Sequence, residues 1–199
     1  MSESRRTRLL LDQNFPNPPN GLVWEVLDHS TELVHLSHEF PAYARNSTPD
    51  WMIYLLALNG RFDAVVTGDI SQIEQDEELI ALNETRLSLV TWRKDPHDPV
   101  QMYGQLLAFM PQINKLLASE QRSVVTLPDT VLRRPDNLRT VRQCIGARKS
   151  HDHVGYQERR GLSLAIMKAE LAARKEPALE LLLDGCVSGT AFETIGRDL

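Results

Sequence analysis

The chain has 199 residues, 42% hydrophobic and 25% charged, with a formal net charge of −5 at pH 7; this composition belongs to an ordinary globular protein and excludes disordered and fibrous classes. Its longest apolar runs, such as Met52 to Leu58, fall far short of the ~20 residues of a membrane helix, and no apolar stretch follows the polar N-terminus, so neither membrane spanning nor secretion is expected. Cys144 and Cys186 have no CxxC spacing, which excludes zinc-finger and disulfide scaffolds and points to a reduced cytoplasmic protein.

In chain order, the apolar run Arg8 to Asp12 before the turn-rich NFPNPPNG reads as a buried strand ending at Asp12. A helix is predicted from Gly21 to about His29 and a second strand from Glu32 to Leu36. Ser47-Thr48-Pro49-Asp50 is a helix-start signal, and Asn59-Gly60 ends that helix. Phe62 to Thr67 reads as a third strand with Asp69 just beyond it. An acidic helix from about Ser71 to Asn83, a strand Leu87 to Thr91, a helix from about Pro99 to Ser119 and a strand Ser123 to Leu127 follow. Strands alternating with helices imply a mostly parallel sheet with helices on both faces.

After Pro128 the pattern changes. Arg133 to Ser150 is basic and weakly periodic, Tyr156 to Arg174 reads as an amphipathic helix, and Pro177 to Leu183 as a short helix ended by Asp184-Gly185. The division expected is an α/β domain over 1–130 and a basic, mainly helical C-terminal extension over 131–199. Residues 1–127 hold 10 basic against 17 acidic residues, a net of −7, whereas 128–199 hold 12 against 10, a net of +2. Arg133 to Arg160, including Arg133 and Arg134, is a tract that either contacts RNA phosphates or pairs with the acidic domain.

Asp12, Asp50 and Asp69 are the chemically informative residues. Ligands collect at the carboxyl ends of strands in an open parallel sheet, and one helix, a tight turn and one strand suffice to return Asp69 to the level of Asp50. Crowded carboxylates raise one another's pKa unless a cation neutralises them, and hard oxygen ligands suit Mg²⁺ or Mn²⁺. That arrangement supports metal-assisted phosphodiester hydrolysis. Taken singly, Asp50 is also an ordinary helix-start charge, and Asp12 and Asp69 ordinary turn residues.

The opening Leu9-Leu10-Leu11-Asp12-Gln13-Asn14-Phe15-Pro16, then Pro49-Asp50, then Asp63-Ala64-Val65-Val66-Thr67-Gly68-Asp69, resembles the PIN-like nuclease superfamily. The nearest likeness is to small bacterial PIN-like proteins related to the toxins of toxin–antitoxin pairs, over roughly residues 8–95 and to Leu127 if the later elements complete the sheet. The resemblance implies a three-layer α/β/α fold and a metal-dependent ribonuclease in which Asp12, Asp50 and Asp69 are the catalytic and metal-binding residues. By the same resemblance Thr67 orients the site through its hydroxyl, Asn14 hydrogen-bonds a carboxylate or a metal-bound water, and an antitoxin is the partner. Gln13 stands where the family usually has Glu, and the second acidic ligand that many PIN nucleases have would be Glu25 or Glu39.

Other features are weighed against plainer readings. Glu74, Asp76, Glu77 and Glu78 read as a solvated helix face, and His151 and His153 as exposed histidines. Trp24, Trp51 and Trp92 fit core packing better than base stacking; Arg93 and Lys94, beside Trp92, are candidate RNA contacts. The alternative function is a PIN-like module without catalysis, binding RNA or protein, whose helix Tyr156 to Arg174 docks a partner or a second copy through Leu162, Ile166 and Ala169.

Overall fold

The computed structural model describes residues 6–16, 29–44, 47–93, 98–118, 123–128, 139–140 and 155–192. Five parallel strands, β1 (Thr7–Leu11), β2 (Thr31–His35), β3 (Ala64–Val66), β4 (Ser88–Trp92) and β5 (Ser123–Leu127), pair in the order β2-β1-β3-β4-β5. A two-residue strand, β6 (Arg139–Thr140), adds to β5 antiparallel, so the sheet continues into the chain beyond Pro128. The helix expected over 21–29 lies outside the described residues.

Alternation along the strands sends side chains to two cores. Leu9, Leu11, Val66, Val90 and Val125 pack with the helix Pro99–Leu117, whereas Leu10, Val65, Leu89 and Val124 pack with the helices Asp50–Asn59 and Asp76–Thr85. Both faces of the sheet are thereby covered, which is why the strands read as unbroken apolar runs. In chain order the helices are α1 (Leu36–Glu39), α2 (Asp50–Asn59), α3 (Asp76–Thr85), α4 (Pro99–Leu117), α5 (Tyr156–Arg174) and α6 (Pro177–Ser188). The result is a three-layer α/β/α fold with a helical C-terminal extension.

Every residue of α2 from Trp51 to Leu58 is buried, a pattern incompatible with a surface helix. One side of α2 meets the sheet; α6 covers it from outside, while α5 and α6 both lie on α3. Leu164, Met167 and Leu171 of α5 and Leu179, Leu183 and Cys186 of α6 belong to the same core as α2 and α3. Each such Leu or Met stabilises the fold by about 1.5–3 kcal/mol on burial. Polar contacts reinforce the join: Arg160 pairs with Glu84, Tyr43 donates to Glu176 at 2.7 Å, and the Arg86 guanidinium lies 3.8 Å from the Phe192 ring centroid.

Two predicted elements differ. The helix expected from Ser71 to Asn83 is split into a 3-10 turn, Ile70–Ile73, and α3. Asp69 accepts a hydrogen bond from the Ser71 amide at 2.8 Å and so starts its own short turn. The helix expected to end at Asp184-Gly185 runs on to Ser188. Its terminator is Gly189, whose φ of 87° suits the left-handed residue that closes a helix. Gly185 lies inside the helix at a close approach, where a Cβ would stand 3.1 Å from that of Ala191.

Among the described residues no helix is long and apolar enough to cross a membrane. Cys186 is a free, buried thiol, and burial pushes its pKa up to about 11.

Candidate active site

The strand order reverses between β1 and β3, and their carboxyl ends carry Asp12 and the segment Thr67-Gly68-Asp69. Because Leu11 is in register with Val66, Asp12 and Thr67 leave the sheet side by side; the Asp12 amide still donates to the Val66 carbonyl at 3.0 Å. Open parallel sheets leave a crevice at such a switch point.

Asp12 is fully buried. Its Oδ1 accepts from the amides of Asn14 and Phe15, each at 3.0 Å, so the carboxylate folds back over its own turn. Its Oδ2 accepts from Gln72 Nε2 at 3.1 Å, and Thr67 supplies a further side-chain hydrogen bond. Phe15 anchors this turn, edge-on to Tyr103 with ring centroids 4.9 Å apart, and His35 Nε2 lies 2.9 Å from the Phe15 carbonyl oxygen. Burial dominates the electrostatics: it raises the Asp12 pKa from 3.8 to about 7, with the Asp50 charge adding to the rise and the hydrogen bonds opposing it.

Asp50 opens α2, where its charge faces the helix N-terminus. Burial and then the neighbouring Asp69 raise its pKa, while a hydrogen bond from Gln72 lowers it. Asp69 is held by its cap on Ser71, and its amide donates to Thr67 Oγ1 at 2.9 Å. Thr67, fully buried, therefore links the turn bearing Asp69 to the carboxylate of Asp12. Asn14 is exposed, and its backbone amide, rather than its side chain, makes the bond to Asp12.

In front of this group lies a cleft of about 550 Å³. Among the described residues, Asp50, Asp69, Glu77, Glu78 and Glu170 contribute five carboxylates to its wall, without a lysine or arginine, and Ile166 forms an apolar margin. Asp12 is not in the wall; it sits behind it. The solvated-face reading of the acidic stretch holds for the exposed Glu74 and fails for Glu78, which lines the cleft beside Glu77 and is only 5% exposed. Spacing alone does not single it out, because Asp76 and Glu77 also stand four residues before buried positions of α3.

The remaining candidates separate. Glu39 is placed 3.9 Å from Arg8 and does not line the cleft. Glu25, Lys94, Arg133, Arg134, Trp24, His151 and His153 lie outside the described residues. Arg93 is exposed just past the carboxyl end of β4, at the same edge as the cleft. Arg160, at the end of the basic tract, is engaged by Glu84 at 2.7 and 2.8 Å. Trp51 and Trp92 are core residues, 4% and 1% exposed.

The donors fit a hard cation by chemistry. They are carboxylates, together with Gln13 Oε1, a buried oxygen in a cleft-lining residue with no hydrogen-bond partner. Among the described residues, however, no three His, Cys, Asp or Glu side chains already stand in a metal-binding group. No family model, no curated protein and no solved structure matches this chain.

Proposed function

We propose that this chain is a PIN-like, metal-dependent endoribonuclease acting in a reduced, cytoplasmic setting. The observation that supports it best is the coupling of Asp12, Asp50 and Asp69 at the switch point of a parallel sheet, beside a cleft whose ionisable groups among the described residues are all acidic. Such a group gains most from a cation, and Asp12, Asp50 and Asp69 would hold Mg²⁺ or Mn²⁺, with Glu78 in place of the expected Glu25 or Glu39. When bound, the ion supplies an activated water and neutralises charge on the phosphodiester.

The chain's own residues then divide the work. Thr67 and the amides of Asn14 and Phe15 fix the Asp12 carboxylate in one orientation. The amino end of α2 positions Asp50. If Glu78 stays off the ion, its carboxylate, buried but lining the cleft, is the one suited to accept the proton of an attacking water. A cleft of this sign repels a phosphate backbone without a cation, so cleavage depends strictly on the metal. Arg93 stands at the edge where a strand would pass, and Lys94, Arg133 and Arg134 are further RNA contacts under this reading.

Cleavage of labelled single-stranded RNA by the full chain tests the reading, with Mn²⁺, with EDTA, and with Asp12→Asn and Asp69→Asn. Metal-dependent cutting lost in both variants supports it; no cutting together with no metal binding overturns it.

One observation favours a second reading, a docking module. Leu162 and Ile166 are 59% and 51% exposed on α5, one turn apart, and Ala169 is exposed beside them. A partner such as an antitoxin, laying an apolar face there and basic residues in the cleft, or a second copy of the chain, would cover them. Leu162→Asp abolishing complex formation while leaving cleavage intact separates docking from catalysis.

A further inference from the structure

Gln72 reaches the acidic group from the 3-10 turn Ile70–Ile73, the turn that Asp69 caps, and is only 2% exposed. Its Nε2 donates to Asp12 Oδ2 at 3.1 Å, its Oε1 accepts from the Tyr54 hydroxyl at 3.0 Å, and the side chain lies close enough to Asp50 to lower the pKa of that carboxylate. Tyr54 is fully buried on α2, four residues after Asp50 and on the same face. The amide group therefore sits beside two carboxylates, with its donor on Asp12 and its acceptor tied behind by Tyr54.

Of the partners of Asp12, the Asn14 and Phe15 amides are backbone, and Thr67 is fixed by the Asp69 amide. Gln72 is the long side chain that can rotate away. It is also the partner that bridges Asp12 to Asp50, the place a shared cation would take. A neutral amide in that place satisfies the carboxylate oxygens by hydrogen bonding but contributes no net positive charge.

We propose that Gln72, steadied by Tyr54, is a placeholder for the cation: it closes the acidic site in the metal-free protein and must swing off Asp12 and Asp50 before an ion binds both. The inference rests on the metal-dependent reading above. Asp12 is turned toward Gln72 and lies behind the cleft wall, so the two side chains face each other away from the open cleft. Gln72 acts as a positioning residue, setting how much of the binding energy is consumed in opening the site.

Calorimetric titration of Mn²⁺ into the full-length protein, with thermal melts alongside, tests this. Gln72→Ala is expected to bind Mn²⁺ about 5- to 20-fold more tightly than wild type while melting lower in EDTA. Tyr54→Phe, which loosens the amide without removing it, is expected to show a smaller change in the same directions, and serves if Gln72→Ala does not fold. A side chain that merely supports the fold would weaken metal binding when removed, and one that ligates the ion would do the same. Equal or weaker Mn²⁺ affinity in both variants overturns the placeholder but leaves the metal site standing. No Mn²⁺ binding by wild type or either variant overturns both.

Discussion

Arg160 of α5 grips Glu84 of α3 through two parallel hydrogen bonds, Nε to Oε1 at 2.7 Å and an Nη to Oε2 at 2.8 Å. The Glu84 side chain is 7% exposed against 25% for Arg160, so the arginine delivers its charge to a nearly buried carboxylate. Removing the arginine strands that carboxylate. Arg160→Ala is expected to cost about 2 kcal/mol in urea unfolding. Arg160→Ala combined with Glu84→Gln is expected to cost less than the sum of the single changes; strictly additive costs would show that the pair is not coupled.

Leu171 on the same helix is fully buried in the core shared with α2 and α3. Leu171→Ala is expected to lower stability by about 2–5 kcal/mol, the usual cost of a cavity. Truncation before α5 should yield a chain lacking a cooperative thermal transition by circular dichroism, because the outer apolar faces of α2 and α3 lose their cover.

The raised pKa of Asp12 has a definite sign for stability. Its folded value, about 7, exceeds the ordinary 3.8, so the folded state holds a proton that the unfolded state has released between those pH values. The group therefore opposes folding once ionised above about pH 7, and this cost is relieved as pH falls toward 4. Asp12→Asn is expected to stabilise the metal-free protein at pH 8 by on the order of 2 kcal/mol, and by little at pH 4. Chemical denaturation at both pH values checks this.

Metal affinity follows from the same group. Below about pH 7 a cation must displace the Asp12 proton, so Mn²⁺ affinity is expected to fall about tenfold per pH unit from 7 to 5. Calorimetry in buffers of different ionisation enthalpy should register about one proton released at pH 6. An affinity flat with pH would remove Asp12 from the ligand set.

Glu78 is buried in the cleft wall and faces Tyr54 electrostatically, together with Asp50, Asp12 and Asp69. Glu78→Gln keeps its shape and is expected to reduce RNA cleavage by about 100-fold, within the range for loss of a general base. Glu170→Gln, at the partly exposed margin of the cleft, should change cleavage less than threefold. Matching losses in both would indicate a general effect of cleft charge instead of a role for Glu78.

The parallel α/β pattern was readable because its strands are short apolar runs ended by turn residues, and Asp50–Asn59 because Pro49 and Gly60 bracket it. The location of Asp12 and Asp69 at strand ends was equally local information. Glu78 and Gln72 were not readable in this way. Glu78 shares its stretch with Glu74, Asp76 and Glu77, and only the packing of α3 between α2 and α5 decides which of them turns inward. Gln72 gains its meaning from partners 60 residues back, at Asp12, and 18 residues back, at Tyr54. Composition also hid the role of α5 and α6, since the basic tract draws attention to charge whereas Leu164, Met167 and Leu171 do the packing.

The enclosure of α2 has a kinetic meaning. A helix with no solvent-facing side has no route to fray from its flank, so its central amides should exchange with deuterium only when the whole molecule unfolds. Asp50 is its first residue and Tyr54 lies one turn further in. The wall that presents Asp50 is thus anchored on the helix whose interior is the most enclosed, while Gln72 reaches it from a separate four-residue 3-10 turn.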